Sequence, residues 1–299
     1  MTEDVRCCPL CGGERSRLFD RRESRGQVVT NRICHSCGLV YQSPRMTEEE
    51  TAAYYRAEYR RTYQGVEEPV ARDLAVQTAR AQSLLGFVRP HIASIGRCLD
   101  IGCSAGLILQ RFKDHYNCQP VGVEPGDAYR VYAREQGLTV YPSLDELERA
   151  GEARFDLVSM SHVLEHLPDP VGYLGHLRET LIAPAGWLLV EVPNLYAHDS
   201  FEAAHLLAFS PHTLRETLRR SGFDVVEFEQ HGRPNSQILP LYLTVLCHPA
   251  AQPDASTMPG AGLSPVRPER GVALKRRLGM LRRRILARLF PQRAWPGQG

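Results

Sequence analysis

Residues 97–106 read Arg97-Cys98-Leu99-Asp100-Ile101-Gly102-Cys103-Ser104-Ala105-Gly106, and residues 119–124 read Gln119-Pro120-Val121-Gly122-Val123-Glu124. The first stretch is a short apolar run that breaks into small residues and resumes as a helical pattern from about Ala105 to Tyr116. A buried strand, a tight turn and a helix account for that pattern. Small residues let the backbone approach a ligand, and the helix N-terminus that follows favours polar or anionic groups. The second stretch is the next strand, ending in Glu124, twenty-two residues beyond Gly102. A carboxylate there can accept two hydrogen bonds from a ribose diol.

The same alternation continues outward. The spacing predicts a helix over 127–137 closed by Gly137, a brief strand LTVY, a strand over 153–161 and a helix VGYLGHLRETL. A strand over 186–194 and a capped helix over 210–222 follow. FDVVEFEQ and QILPLYLTVLC then form an antiparallel pair at one edge. Seven strands result, and the fold class is α/β: a Rossmann-like, mostly parallel, doubly wound sheet.

The whole chain has 299 residues, 43% of them hydrophobic and 23% charged, which excludes a disordered or collagen-like chain. Its net charge of +2 hides segregation. Residues 267–299 hold ten basic side chains and a single acid, Glu269, so the rest of the chain is net acidic. Composition divides the chain into five zones: 1–47, rich in Cys and Arg; 48–95, helical, with Thr47 and Glu50 spaced as a capping box; 96–247, the α/β zone; 248–270, a linker rich in Pro, Gly, Ala and Ser; and 271–299, a basic amphipathic tail. No run of about 18 apolar residues exists, so a spanning helix is not expected. Met1–Arg6 lacks the apolar core of a secretory signal. A reducing cytoplasm is the expected location, with the nine cysteines as free or metal-bound thiols.

Two cysteine pairs match: Cys8-Pro9-Leu10-Cys11-Gly12 and Cys34-His35-Ser36-Cys37-Gly38. A tight turn in each places two thiolates on one side, and together they supply the closed tetrahedral set of a structural zinc site. The expected ligands are Cys8, Cys11, Cys34 and Cys37, in a small N-terminal ribbon with a hairpin between the knuckles. Cys7 offers an alternative register, and free thiols are the alternative reading. A four-thiolate ion has no open position, so its role would be folding or docking.

LDIGCSAG (99–106), VGVEP (121–125), FDLVSMSHVLEHLPDP (155–170), LLVEVPN (188–194) and FSPHTLRETLRRSGF (209–223) occur in that order. Together they resemble the motif series of class I S-adenosylmethionine-dependent methyltransferases, particularly the branch that includes the ubiquinone-pathway O-methyltransferases. The resemblance covers about residues 85–247. It departs at Ser104, where many members carry a glycine. It implies that Asp100, Gly102, Ser104 and Gly106 surround the methionine end of S-adenosylmethionine, that Glu124 holds the ribose hydroxyls, and that Pro125 lies near the adenine. Ser143 would flank the adenine edge. Met160, Ser161 and His162 would line the floor between cofactor and substrate.

Methyl transfer from a sulfonium is an in-line displacement, so alignment carries much of the catalysis. An alcohol acceptor also needs a base. His162, Glu165 and His166 follow the 153–161 strand, and His198, His205 and His212 fall in or after the loop that follows the next strand, so the two segments are expected to converge. Three readings stand. His166 or His205 is a general base, the preferred role; Glu165, His166 and His205 bind a divalent metal, as in the metal-dependent RNA 2′-O-methyltransferases they resemble, although His162 replaces the first Glu of that motif; or the histidines are structural and proximity suffices.

The tail repeats Leu274, Leu278, Leu281, Ile285 and Leu289 at helical spacing, interleaved with Lys275, Arg276, Arg277, Arg282, Arg283 and Arg284. Such a segment can lie on an anionic membrane, at the inner face for a cytoplasmic protein. A helix docked on the acidic body, or a disordered tail, is the alternative. Nucleic acid is not the expected partner, because the α/β zone lacks a long basic footprint. The ribbon, the PRMTEEETAAYYRAEYRRTYQG segment (44–65) and the α/β core together look like bacterial methyltransferases of cell-surface polysaccharide and sugar pathways. O-methylation of a sugar or glycan hydroxyl is the expected activity. A zinc-containing rRNA or tRNA methyltransferase, a sugar C-methyltransferase and a non-catalytic zinc-ribbon binding module are the alternatives.

Overall fold

The computed structural model describes residues 2–24, 26–47, 50–51, 68–199, 201–251 and 265–296. Thr47 and Glu50 of the expected capping box are among them, but of the helix predicted after it only Thr51 is, and most of the expected linker lies outside. In chain order the strands and helices are β1 (Thr2–Glu3), β2 (Ser16–Ser24), β3 (Gln27–Cys34), β4 (Val40–Gln42), β5 (Arg45–Met46), α1 (Ala71–Val88), β6 (Arg97–Ile101), α2 (Leu107–Tyr116), β7 (Gln119–Val123), α3 (Asp127–Glu135), β8 (Thr139–Tyr141), α4 (Leu144–Arg149), β9 (Phe155–Ser161), α5 (Pro170–Thr180), β10 (Ile182–Pro193), β11 (Leu207–Ala208), α6 (Pro211–Arg220), β12 (Phe223–His231), β13 (Tyr242–Pro249), α7 (Val272–Leu289) and α8 (Pro291–Ala294). A single 3-10 turn spans Leu164–His166.

Seven strands form one sheet in the order β12-β13-β10-β9-β6-β7-β8. The β9-β6-β7-β8 pairs are parallel, and β12-β13 is the antiparallel edge pair expected from its alternating pattern. This is the Rossmann-like fold, with the flanking helices formed where periodicity placed them. Register follows from the apolar runs. Asp100 pairs with Gly122 on one side and Ser159 on the other, and Ile101 with Val123 and Met160. All three strand ends therefore finish level. Helix α6 starts where its residues dictate: Ser210 and Thr213 cap each other's backbone amides reciprocally, and Pro211 occupies the first turn, where its missing N–H costs nothing.

The chain folds as two compact units interleaved in sequence. One comprises Met1–Glu48, His162–Glu179 and Glu191–Gly299; the other comprises Glu49–Ser161 and Thr180–Val190. In the first unit, β2 and β3 make the hairpin expected between the cysteine knuckles, extended by β4 and β11 into a four-stranded sheet.

The described end of the linker and the tail are tied to other residues of the first unit, so the tail forms a docked helix, the alternative given above. Arg267 N–H donates to Glu216 Oε2 at 3.0 Å, and the Glu269 N–H donates to the Cys37 carbonyl at 3.1 Å. The Glu269 carboxylate accepts from Tyr196 Oη at 2.6 Å, from Lys275 Nζ at 2.9 Å and from Ser210 Oγ. The one acid of the basic tail is its anchor. Val272 then packs with Ile33, Val40, Leu195, Phe201 and Ala208, so α7 is a docked element of the first unit.

Candidate active site

In the second unit, β6 ends in a turn that reverses over four residues. Gly102, Ser104 and Gly106 have φ of +74°, +52° and +79°. Ser104 thus occupies the left-handed region that its glycine counterparts enter freely, which is the physical content of the one departure in the motif. Ser104→Gly is expected to stabilise the cofactor-free protein by roughly 1 kcal/mol and to leave cofactor affinity within a factor of about 3. Urea denaturation with isothermal titration checks both; a stability loss would mean that the hydroxyl has a structural role.

Glu124 is buried, and its two oxygens accept backbone N–H groups, Oε2 from Ser104 and Oε1 from Gly126, each at 2.8 Å. The carboxylate therefore clamps the turn, a role the sequence reading did not give it. Arg130 donates to the carbonyls of Glu124 and Pro125 at 2.9 and 3.1 Å, fixing the turn after β7. Helix α1 contributes Gln77, whose Oε1 accepts the Ala105 N–H at 3.3 Å, another residue without a sequence signal. Ser143 Oγ caps α4, accepting the Glu146 N–H at 3.2 Å.

Asp100 lies at the end of β6, 1% exposed. Its Oδ1 accepts at 2.6 Å from Oγ of Ser159, the residue that the β6-β9 register places opposite it. Oδ2 is buried and has no hydrogen-bond partner among the described residues. Burial pushes the carboxyl up to about 7, against the Ser159 bond, with Glu124 adding repulsion. An orphaned carboxylate oxygen at a Gly-rich turn fits a ligand carrying an ammonium group and a ribose, as S-adenosylmethionine does. Met160 is buried and Ser161 half-buried at the end of β9.

A second cluster belongs to the first unit. Glu165, 1% exposed, sits in the 3-10 turn with His162 Nδ1 at 3.2 Å and His166 Nε2 at 4.0 Å from its Oε1. Burial raises its pKa, but the His162 bond and the neighbouring imidazoles outweigh that and hold it at about 2. His166 Nδ1 meets the Ala204 carbonyl at 2.7 Å. Nδ1 must be the donor to an oxygen that can only accept, so Nε2 carries the lone pair of the neutral ring. Burial pushes His166 down to about 4, against the pull of Glu165. The His205 ring lies 4.8 Å from that of His166, and Glu165, His166 and His205 each place one donor atom within 4.8 Å of the others. His162 has φ of +56°, a strained conformation for a non-glycine residue.

The sequence reading missed three members of this cluster. Glu191 meets His162 Nε2 at 3.6 Å and His231 Nε2 at 3.3 Å, and accepts from Thr244 Oγ1 at 2.9 Å. The Tyr242 ring packs against His162, His198 and His231 at 5.1–6.0 Å. A signal for Glu191 existed, a carboxylate inside the apolar run LLVEVP. Burial pushes His198 down to about 3. His212 does not join: its Nε2 meets the Arg267 carbonyl at 2.7 Å.

At the N-terminus, Cys8, Cys11, Cys34 and Cys37 place their sulfurs within 4.8 Å of one another, with Cys8–Cys37 at 3.6 Å and Cys11–Cys34 at 3.5 Å. Tetrahedral ligation at a Zn–S distance of about 2.3 Å separates sulfurs by about 3.8 Å, so the set fits one ion. The knuckles are closed alike, by Gly12 N–H to the Cys8 carbonyl and Gly38 N–H to the Cys34 carbonyl. Cys7 is exposed and outside the set.

The Rossmann-like sheet, the glycine turn and the buried Asp100–Glu124 pair define a class I S-adenosylmethionine-dependent methyltransferase. The Methyltransferase domain family matches residues 70–228, and the chain belongs to it. Among curated relatives, the ubiquinone biosynthesis O-methyltransferase of Aeromonas salmonicida is 33% identical over 33% of this chain and 43% of its own length. That of Stutzerimonas stutzeri is 28% identical over 46% of this chain and 65% of its own length. The matches thus span about two fifths to two thirds of the length of those relatives. Among solved structures, the 1,6-didemethyltoxoflavin-N1-methyltransferase of Burkholderia thailandensis, with bound 1,6-didemethyltoxoflavin and S-adenosylhomocysteine, superposes with a TM-score of 0.56 at 20% identity. It covers 77% of this chain and 99% of its own, and shows the shared fold.

Proposed function

We propose that the protein transfers the methyl group of S-adenosylmethionine to a hydroxyl of a sugar or glycan, with His166 as the base. The carrying observation is the His166 tautomer: the Ala204 carbonyl accepts a hydrogen bond from Nδ1–H, which leaves Nε2 as the acceptor atom beside ionised Glu165. Bound S-adenosylmethionine supplies an electrophilic methyl on a sulfonium. Asp100 would hold its ammonium group through the unpaired Oδ2, and Glu124 its ribose, while Gly102, Ser104 and Gly106 give backbone approach. Pro125, Met160, Ser161 and His162 would complete the surroundings of the cofactor. His166 would take the acceptor proton, with Glu165 stabilising the imidazolium that forms; His162 and His205 would hold that pair in place. The sugar reading rests on the ribbon and connector that precede the core; the curated relatives favour ubiquinone biosynthesis intermediates as the second acceptor class. The Cys8–Cys11–Cys34–Cys37 set would hold structural zinc.

A second mechanistic reading has one observation in its favour. Glu165, His166 and His205 present three donor atoms within 4.8 Å, the composition of a divalent-metal site. Removing and restoring divalent ions while the zinc content of the ribbon is monitored separates it from the base reading.

The deciding experiment is radiolabelled methyl transfer into sugar nucleotides, lipid-linked glycans, ubiquinone biosynthesis intermediates and total RNA. Label in the first two is expected; label in RNA alone would overturn the proposal. Glu165→Gln is expected to lower kcat by roughly 100-fold with cofactor affinity unchanged. Because Glu165 raises the His166 pKa, its removal should also move the acid limb of the kcat profile to lower pH. An unchanged kcat would eliminate the base.

A further inference from the structure

Helix α7 docks with the polarity opposite to that expected of an amphipathic helix. Arg276 faces inward and donates to the carbonyls of Leu195 and His198, with Asp199 Oδ1 at 3.1 Å from its Nη2. Arg283, one further position on the same face, donates to the Ala197 carbonyl at 2.9 Å. Between them Gly279 lets the helix cross the Tyr196 backbone closely; a Cβ there would lie 2.0 Å from the Tyr196 carbonyl oxygen. Leu286, Ala287 and Trp295 pack against the cluster formed by Leu239, Leu241, Tyr242 and Ala294. These contacts fix the rotation of the helix about its axis.

The opposite face is apolar and exposed. Leu274, Leu278, Leu281, Ile285 and Leu289 are 48–65% exposed and stack into one stripe about 80° wide at 100° per residue. On that helical projection Lys275 and Arg282 border one side of the stripe, and Arg277, Arg284 and Arg288 the other, all of them exposed. No acid occurs between residues 270 and 296. No helix among the described residues is long and apolar enough to cross a membrane.

We infer that the outward face of α7 is a docking surface for an anionic lipid bilayer, lying parallel to it with the leucine stripe in the headgroup boundary and the arginines on its two sides, Arg282 and Arg277, Arg284 and Arg288, on lipid phosphates. Charge complementarity selects this occupant. Cations on both sides of the stripe match a surface of uniform negative charge, whereas packing α7 against the same face of a second copy would set like charges against each other. Insertion of apolar side chains and attraction to acidic headgroups are the two signals that together give stable surface binding. The inference does not depend on which acceptor is methylated.

The test is co-sedimentation of the full chain with phosphatidylcholine vesicles and with vesicles containing about 30 mol% phosphatidylglycerol. Binding to the anionic vesicles alone, weakened by salt, is expected. Leu278→Gln/Ile285→Gln and Arg277→Gln/Arg284→Gln/Arg288→Gln should each lower the partition coefficient at least about 10-fold. Both keep the inward contacts, so S-adenosylmethionine affinity should match the wild type and certify folding. Equal binding to both vesicle types, or variants that partition like the wild type, would overturn the inference. So would self-association abolished by the leucine variant without vesicle binding, which would make the occupant a second copy.

Discussion

Asp100→Asn is expected to weaken S-adenosylmethionine binding by about 100-fold or more while making the cofactor-free protein more stable above neutral pH. Both effects come from one buried oxygen. An unfolded aspartate loses its proton near 3.8, whereas burial keeps Asp100 protonated up to about 7 in the fold. Between those values the folded state binds the extra proton, so stability falls as pH rises through the window. By pH 7 the accumulated penalty has an upper value of about 4 kcal/mol. Asparagine keeps the Ser159 bond to Oδ1 and never ionises. The stability difference between variant and wild type should therefore be small at pH 4, grow to pH 7 and level off beyond. Denaturant titrations at pH 4, 6 and 8, with cofactor titration at pH 8, make the measurement. A difference independent of pH, or an unchanged affinity, would show that Asp100 is neither the strained group nor the cofactor ligand.

Cys37→Ser should produce the largest loss of stability of any single change considered. Cys37 is fully buried, its sulfur lies 3.6 Å from that of Cys8, and the Leu39 N–H donates to it. Serine cannot replace a thiolate in a soft, closed zinc set, and the remaining three sulfurs would be left around an incomplete site. The expected cost is about 3–5 kcal/mol, roughly 10 °C in Tm for a unit of this size. Intact-protein mass should show one zinc on the wild type and none on the variant or after chelation. Cys7→Ser makes the same chemical change at an exposed cysteine and should alter neither quantity. Identical behaviour of the two variants would mean that the four thiols are not a metal site.

The strands were legible because each is a short apolar run ending at a small or charged residue, as in RCLDIG and QPVGVE. The glycine turn was legible for a different reason: its left-handed positions require small residues in contiguous order. The rest of the site is assembled from distant segments. Glu191 and Tyr242 meet His162, and His231 meets Glu191 and Tyr242, because β10, β12 and β13 bring them there, and no local pattern encodes that meeting. The rotation of α7 was hidden for a physical reason. Amphipathicity places leucine inward by default, but the loop at 195–198 turns three backbone carbonyls toward the helix, and guanidinium groups satisfy them where leucine could not. The expected linker misled similarly, since its composition gave no sign that Glu269 would be clamped by four donors and acceptors.

The interleaving of the two units fixes an order of events during synthesis. Once residue 190 has left the ribosome, every residue of the unit that carries the glycine turn exists, so that unit can close while the rest is being made. The other unit begins with the ribbon yet awaits α7, because the Cys37 carbonyl takes its partner from Glu269. All four thiols of the ribbon precede Glu269 by more than 230 residues. A metal captured by them would hold the ribbon folded until Glu269 is made.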